Sequence, residues 1–330
     1  MVTSHDVARA AGVSQATVSR VLNGNSRVTP EVRDRVQAAL DELGYVPNAS
    51  ARAMRMAKSG TVGIVTSELL NPYVPRLLDA FSTEARERGL SVLLWNDDDP
   101  RAAMAQEGVS SGSVDGVIFT AAKQTTVGVD ILAKNGIPVL LANRASGDSA
   151  VDQVTSDHEG SGYSAANYFL SHDRTDLATV FGPRDTFSSP ARERGFRRRL
   201  DEAGVSVADE RWLVGETSYE HGWDSAMRIA EQRPLPSAVF CSADLIAFGA
   251  ISAFHHLGIR VPDDLWVMGN DGLPMSAWEP FDLTTHRQPI DEIARLGMDR
   301  LVARMGGEAD EPQRIVIPTE LIVRGSTANA

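Results

Sequence analysis

Two hydrophobic rhythms share this chain. In the first 46 residues apolar side chains recur at helical spacing. Val7, Ala8 and Ala11 mark one face, Val18, Val21 and Leu22 a second, and Val32, Val36, Leu40 and Leu43 a third. The punctuation agrees with that period. Thr3 can cap a helix over Ser4–Ala11, and Gly12 ends it in the left-handed turn that glycine favours. Ser14 can cap a second helix over Gln15–Leu22, which Asn23-Gly24 stops. Thr29-Pro30-Glu31 supplies a cap, a proline at the first helical position and an acid at the positive helix end, and Gly44 closes that third helix. Three short helices with a glycine turn between the first two predict a helix-turn-helix head.

From residue 61 the rhythm changes. TVGIVTS, LSVLLWN, DGVIFTA, IPVLLAN, LATVFG, SAVFCS and LWVMGND are short apolar runs alternating with helical stretches. That order predicts an α/β body with parallel sheets covered on both faces, and its length implies two lobes. Ligands in such folds bind beyond the carboxyl ends of the strands. Asn71-Pro72-Tyr73, Asn143-Arg144 and Asp271 fall there, and Phe187, Ser188 and Arg192 follow LATVFG. Amides, an acid, an arginine and aromatic faces in one cleft suit a small hydroxylated ligand such as a sugar.

Charge sharpens the division. The net charge is −12, which alone argues against a surface made for nucleic acid. Yet residues 1–58 hold eight Lys/Arg and five Asp/Glu, a net +3, which leaves −15 for the remainder. The second helix is crowded with hydrogen-bonding side chains. In a major groove Gln15 can pair with adenine, Arg20 can fork onto guanine, and Ala16 can meet a thymine methyl. Ser14, Thr17, Ser19 and Asn23 can hold phosphates. Thr3, Arg27, Ala51 and Met54 complete the candidate DNA-contact set. Met54 lies in the stretch Ala49–Met56, too short a helix to hold in water alone. Its small residues suit packing against a second copy, with Met54 as a minor-groove wedge.

TSHDVARAAGVSQATVSRVLNG, TPEVRDRVQAALDELGYVPN and the SARAM segment resemble the LacI/GalR family of bacterial transcription regulators. VDGVIF, GPRDTFSSPARERGF, IRVPDDLWVMGNDG and FDLTTHRQP continue the resemblance to the end of the chain. It implies a head over 1–46, a hinge over 47–60 and a periplasmic-binding-protein-like body over 61–330. The body's lobes would cover 61–158 with 289–318, and 159–288 with 319–330. It also implies effector roles for Tyr73, Asn143, Ser188, Arg192, Tyr219, Asp271 and Gln288. Three departures stand out: Met54 where the family usually has leucine, Ser50 where its hinge usually has a bulkier apolar residue, and Ala243-Asp244 where it often has Asn-Asp. The expected protein is a repressor that binds a palindromic double-stranded DNA operator as a homodimer under control of a small effector, a sugar or sugar derivative. The alternative is a sugar-binding protein without a DNA role.

Other signals point away from catalysis, cofactors and membranes. Gly108-Val-Ser110-Ser-Gly112 fits a hydrolase elbow but follows a helix and precedes a strand, the reverse of the order that chemistry needs. Asp97-Asp98-Asp99 reads as a solvated turn, and adjacent His255 and His256 point apart on a helix, so no metal is expected. No phosphate loop or G-x-G-x-x-G occurs, so no cofactor is expected. The start MVTSHDVARA lacks the pattern of a signal peptide, no apolar run is long enough to span a membrane, and a lone Cys241 fits a reducing compartment; the expected location is the cytoplasm.

Overall fold

The computed structural model describes residues 2–22, 27–45, 58–96, 103–120, 127–144, 150–308 and 311–327. It divides into two compact units, Met1–Ser59 and Gly60–Ala330. The expected helix over 49–56 lies outside the described residues, as do Asn23, Ala51, Met54 and the Asp97-Asp98-Asp99 turn.

The first unit is the three-helix head: α1 (Ser4–Ala11), α2 (Gln15–Leu22) and α3 (Pro30–Glu42). Thr3 closes a capping box on α1. Its hydroxyl accepts the Asp6 N–H at 3.3 Å, and the Asp6 carboxylate accepts the Thr3 N–H at 3.0 Å. Ser14 caps α2 by accepting the Thr17 N–H at 3.1 Å. Val7, Val18 and Val36, one from each helix, form the fully buried centre, flanked by Ala8, Ala11, Val21, Ala39 and Leu40. Leu22, Val32 and Leu43, expected in this core, are only half-buried. Three short helices enclose a thin core, so apolar residues at its rim keep one side exposed.

The second unit holds two six-stranded sheets. The first runs β11-β5-β4-β3-β1-β2, from β1 (Thr61–Thr66), β2 (Ser91–Asn96), β3 (Gly116–Phe119), β4 (Val139–Ala142), β5 (Asp152–Ser156) and β11 (Arg314–Ile317). The other runs β12-β10-β9-β8-β6-β7, from β6 (Leu177–Phe181), β7 (Trp212–Val214), β8 (Ala238–Cys241), β9 (Trp266–Asp271), β10 (Thr284–Arg287) and β12 (Glu320–Ile322). Helices α4 (Tyr73–Glu87), α5 (Ala103–Ser110), α6 (Val127–Lys134) and α11 (Ile290–Gly306) belong to the first lobe. Helices α7 (His158–Ser171), α8 (Ser188–Ala203), α9 (Tyr219–Glu231) and α10 (Asp244–His256) belong to the second.

The chain passes between lobes three times: after β5, after β10, and between β11 and β12. The last passage departs from the all-parallel expectation, because β12 pairs with β10 antiparallel. The reason is directional. β11 runs parallel with its sheet toward the cleft. A link of only two residues then brings the chain into the second lobe at the carboxyl ends of its strands, so β12 must run away from the cleft. A second departure is β2, an edge strand on which Leu93 and Leu94 stay 37% and 43% exposed, so this sheet is not covered everywhere.

Two glycine pairs set the helix packing of the second lobe. A β-carbon on Gly162 would lie 2.0 Å from the Arg192 carbonyl oxygen, and one on Gly195 would lie 1.9 Å from that of Glu159. Helices α7 and α8 therefore touch backbone to backbone, which fixes the depth at which Arg192 enters the lobe. Gly222 and Gly249 do the same for α9 and α10, the latter against the Tyr219 carbonyl oxygen at 1.9 Å. Among the described residues no helix is long and apolar enough to cross a membrane.

Candidate functional site

The carboxyl ends of both sheets face one cavity of about 710 Å³, its open mouth included. Most lining residues sit where a strand has just ended, and Tyr73, Val74 and Leu77 on α4 and Arg192 on α8 join them from the helices that follow. Ser67 and Asn71 follow β1, Thr120 follows β3, Asn143 follows β4, Ser242 and Ala243 follow β8, and Gln288 follows β10. Asp271 closes β9, and the loop after β6 brings Thr186, Phe187, Ser188, Ser189 and the first turns of α8. Arg76 on α4 donates to the Gly272 carbonyl at 3.2 Å and ties the lobes across the mouth.

Arg192 is the centre of the polar wall. Its side chain and that of Asp271 are each 5% exposed, with Nη2 3.3 Å from Oδ1. Nη1 donates to the Ser242 carbonyl oxygen. With its amide oxygen turned to the guanidinium, Asn270 accepts from Nε at 3.1 Å and from Nη2 at 3.0 Å while donating to Ser161 at 2.9 Å. His158 Nδ1 lies 3.3 Å from Nη2. Burial, then the neighbouring Arg192, hold this imidazole well below its ordinary pKa, so it is neutral and can accept from the guanidinium.

Asp271 in turn accepts from Gln288 Nε2 at 2.7 Å and from the Asp244 N–H at 3.3 Å. Behind it Asp244, fully buried, accepts from the hydroxyls of Thr285 at 2.5 Å and Ser276 at 2.6 Å and from the Leu273 N–H at 2.8 Å. Burial raises the pKa of both carboxyls, and Arg192 opposes the rise. The hinge joins this network. Ser156, at the end of β5, donates to Gln288 Oε1 at 2.9 Å and reaches Asn143 Oδ1 at 3.3 Å. Asn143 takes a left-handed φ of 56°, a conformation asparagine tolerates better than most residues.

Of the seven candidate effector residues, six line this cavity: Tyr73, Asn143, Ser188, Arg192, Asp271 and Gln288. Tyr219 does not. Its ring lies 6.4 Å from that of Trp223, centroid to centroid, and its carbonyl meets Gly249, so it serves the α9–α10 contact. Thr217, two residues earlier in the loop after β7, lines the wall instead. Thr120, Thr186, Ser242 and Ala243 are further lining residues, and Asp244, His158 and Asn270 are the buried support. The strand-end rule could have found Thr120 and Ser242. Nothing local marks Asp244 or His158, whose partners lie far along the chain.

In the head, Gln15, Ala16 and Arg20 are exposed on α2, whereas Thr17 and Ser19 are partly covered. Gln15 donates to Ser4 at 3.0 Å, and the hydroxyls of Ser14 and Thr17 lie 2.9 Å apart. Thr3 is spent on its capping box, and Arg27 is exposed just before α3.

A helix-turn-helix head and a two-lobed body with a ligand-sized cleft define the class of modular DNA-binding regulators. The comparisons agree for each part. The description "Bacterial regulatory proteins, lacI family" matches residues 3–48, and "Periplasmic binding protein-like domain" matches residues 166–327. The HTH-type transcriptional regulator DegA of Bacillus subtilis is 32% identical over 99% of this chain and 98% of its own length. Among solved structures, a Lac repressor dimer bound to operator and an anti-inducer superposes with a TM-score of 0.88 at 26% identity, over 99% of both chains. A transcriptional regulator CelR–cellobiose complex does so with a TM-score of 0.75 at 28% identity, over 99% of this chain and 100% of the other. The chain belongs to the LacI family. Its relatives are transcription regulators, not enzymes.

Proposed function

We propose that this protein represses transcription by binding a palindromic operator as a homodimer and that a sugar or sugar derivative in the interlobe cavity controls the binding. Residues 1–46 read DNA and 47–60 form the hinge. One lobe comprises 61–158 with 289–318, and the other 159–288 with 319–330. Gln15, Ala16 and Arg20 meet bases, and Ser14, Thr17, Ser19, Asn23 and Arg27 meet the backbone. Ala51 and Met54 act in the hinge at the centre of the site. The bare apolar edge at Leu93 and Leu94 supports self-association, since an exposed flat edge strand is a template for pairing. The protein works in the cytoplasm, where the DNA is.

The observation that carries the effector part is the cavity itself. Both lobes wall it, hinge residue Gln288 bonds Asp271 inside it, and Tyr73 offers it a buried hydroxyl with no protein partner. A ligand held there contacts both lobes at once, so its affinity depends on how far they are closed. It shifts DNA affinity only through that difference. The test is operator affinity with and without the sugar, for the native protein and Asp271→Asn. The native protein is expected to change affinity about tenfold or more, and the variant to lose the response while holding its sugar-free affinity. A variant with the full response would move the effector site elsewhere.

A further inference from the structure

The first two helices of the head start beside one another. Ser4 is the first residue of α1, behind the Thr3 cap, and Gln15 is the first residue of α2, behind the Ser14 cap. Val7 and Val18, both fully buried, and the small Ala8, 6% exposed, hold the helices together and set the distance between those starts. Gln15 reaches back across this gap and donates from Nε2 to Ser4 Oγ at 3.0 Å. Gln15 is exposed and Ser4 half-covered, so the bond lies on the side of α2 that carries the exposed Ala16 and Arg20. The other hydroxyls at the start of α2 are turned to one another. Those of Ser14 and Thr17 lie 2.9 Å apart, and Ser14 also accepts the Thr17 N–H.

That bond sets what Gln15 can offer a base. A free glutamine amide carries two hydrogens and an acceptor oxygen, and turning it over exchanges its two ends. With Nε2 held by Ser4 the amide has one orientation, and one hydrogen and the oxygen remain. In the major groove adenine shows an acceptor, N7, beside a donor, its N6 amine. Adenine alone takes both remaining groups. Guanine shows two acceptors, N7 and O6, and would need the hydrogen that Ser4 has taken. Cytosine offers its amine alone and thymine O4 alone, so each leaves one group of the amide unmet. From this, and resting on the reading of the head as a sequence-specific DNA reader, we propose that Ser4 is a specificity-determining residue. It touches no base and acts by fixing the Gln15 amide, which then selects adenine at one base pair of each half-site. The bond also removes rotational freedom from Gln15 before DNA arrives, so less is lost on binding.

The test begins with selection of sites by the full chain from a randomised duplex library. The selected operator is then titrated with all four base pairs at each position. Gln15→Ala marks the pair that Gln15 reads, and the native protein should prefer adenine there by about fivefold to a hundredfold. Ser4→Ala should cut that preference several-fold. It should leave untouched the preference that Arg20→Ala removes, which also reports that the head is folded. Ser4→Thr keeps a hydroxyl and should restore the native preference. In the Gln15→Ala background Ser4→Ala should change nothing further, because Ser4 acts through Gln15. Any base other than adenine preferred at that pair overturns the proposal, and so does a Gln15→Ala variant with the native preference at every pair. A native preference kept by Ser4→Ala overturns it too, as does a loss that persists without Gln15, which would make Ser4 a direct contact. The reading it rests on fails separately. A library that yields no enriched sequence removes the DNA role and this proposal with it. An enriched operator whose preference at that pair ignores Ser4 removes this proposal alone.

Discussion

The second helix of the head and the cleft of the body both carry arginine among amides and hydroxyls, yet they spend those groups in opposite ways. Arg20 stands exposed on α2, with Gln15 and Ala16 exposed nearby. Arg192 is 5% exposed and bonded on several sides by Asp271, Asn270 and the Ser242 carbonyl. An exposed arginine contributes little to folding and is available for a partner. A buried one bonded to Asp271, Asn270 and Ser242 is part of the fold as well as of the cavity wall. The same residue type therefore has different consequences when removed, and four measurements separate them.

The largest difference is in stability. Arg192→Ala leaves Asp271 and Asp244 buried without a cation, and breaking such a pair from one side costs about 3–5 kcal/mol. Arg20→Ala should change stability by no more than about 0.5 kcal/mol, as at an ordinary surface site. All five tryptophans lie beyond residue 60, so their fluorescence in a urea titration reports the body, while circular dichroism sums the helices of both units and shows any unfolding of the head as a change without a fluorescence counterpart. Equal, small losses for both variants would erase the contrast.

A second effect belongs to the body alone and appears as pH dependence. His286 is buried with neither ring nitrogen bonded, and burial, then Arg192, push its pKa down from 6.5 to about 3. Its folded pKa lies below its unfolded one, so the unfolded chain binds the proton first and stability falls as pH drops below 6.5. Between pH 7 and pH 5 this amounts to about 2 kcal/mol. Asp271 and Asp244, with raised pKa values, act in the opposite sense, since their protonated forms favour the fold at acid pH. The native slope is thus a sum, and His286→Leu isolates one part of it. The variant should lose less stability than the native protein on acidification from pH 7 to pH 5, measured as Tm at each pH. An unchanged difference would mean that His286 is protonated in the fold.

How far these two regions were legible in the sequence follows from the same contrast. The helix boundaries of the head were readable, because short-range devices set them: the Thr3 cap, the Gly12 turn and the Pro30-Glu31 start, although Thr29 at the N-cap position of α3 makes no side-chain capping bond. The apolar strands of the body announced themselves too. DQVTS and TTHR did not, although β5 and most of β10 are buried. Their polar side chains are satisfied by distant partners, as Asp152 is by Arg300 at 2.8 Å and Thr285 by Asp244 at 2.5 Å. Polarity in a sequence reads as exposure unless the partner is known. The cleft shows the same limit. Asn143 and Asp271 stood at strand ends and were visible. Tyr219 has its effector role from the resemblance alone; it opens α9, and Thr217 takes the lining position. Asp244 works through partners 27 or more residues away and His158 meets Arg192 34 residues away, with no local signature.

A third measurement turns to the head's partner. Arg20→Ala should cost about 1–3 kcal/mol on the cognate operator and relax the preference at one base pair in each half-site. Binding titrations against a panel of operator variants would show it. A uniform loss across all sequences would make Arg20 a phosphate contact, and the exposed arginine would then position the head without specifying the sequence.

The smallest effect tests whether the head's hydroxyls are as unspent as its arginine. Thr3 is a candidate DNA contact, yet its hydroxyl already accepts the Asp6 N–H at 3.3 Å and lies 2.7 Å from Asp6 Oδ2. If capping is its whole role, Thr3→Ala should destabilise the head by about 1 kcal/mol, whereas Thr3→Ser restores both the hydroxyl and the stability. Operator affinity should then follow the folded fraction of the head and no more. Thermal unfolding by circular dichroism and operator titration of the same samples give both quantities. The decisive comparison is at a temperature where native head and variant are both fully folded. Equal affinities there make Thr3 a cap, and a residual loss that serine repairs makes it a cap that also touches DNA. In that case the division between spent and unspent groups would run through single side chains and not between the two regions.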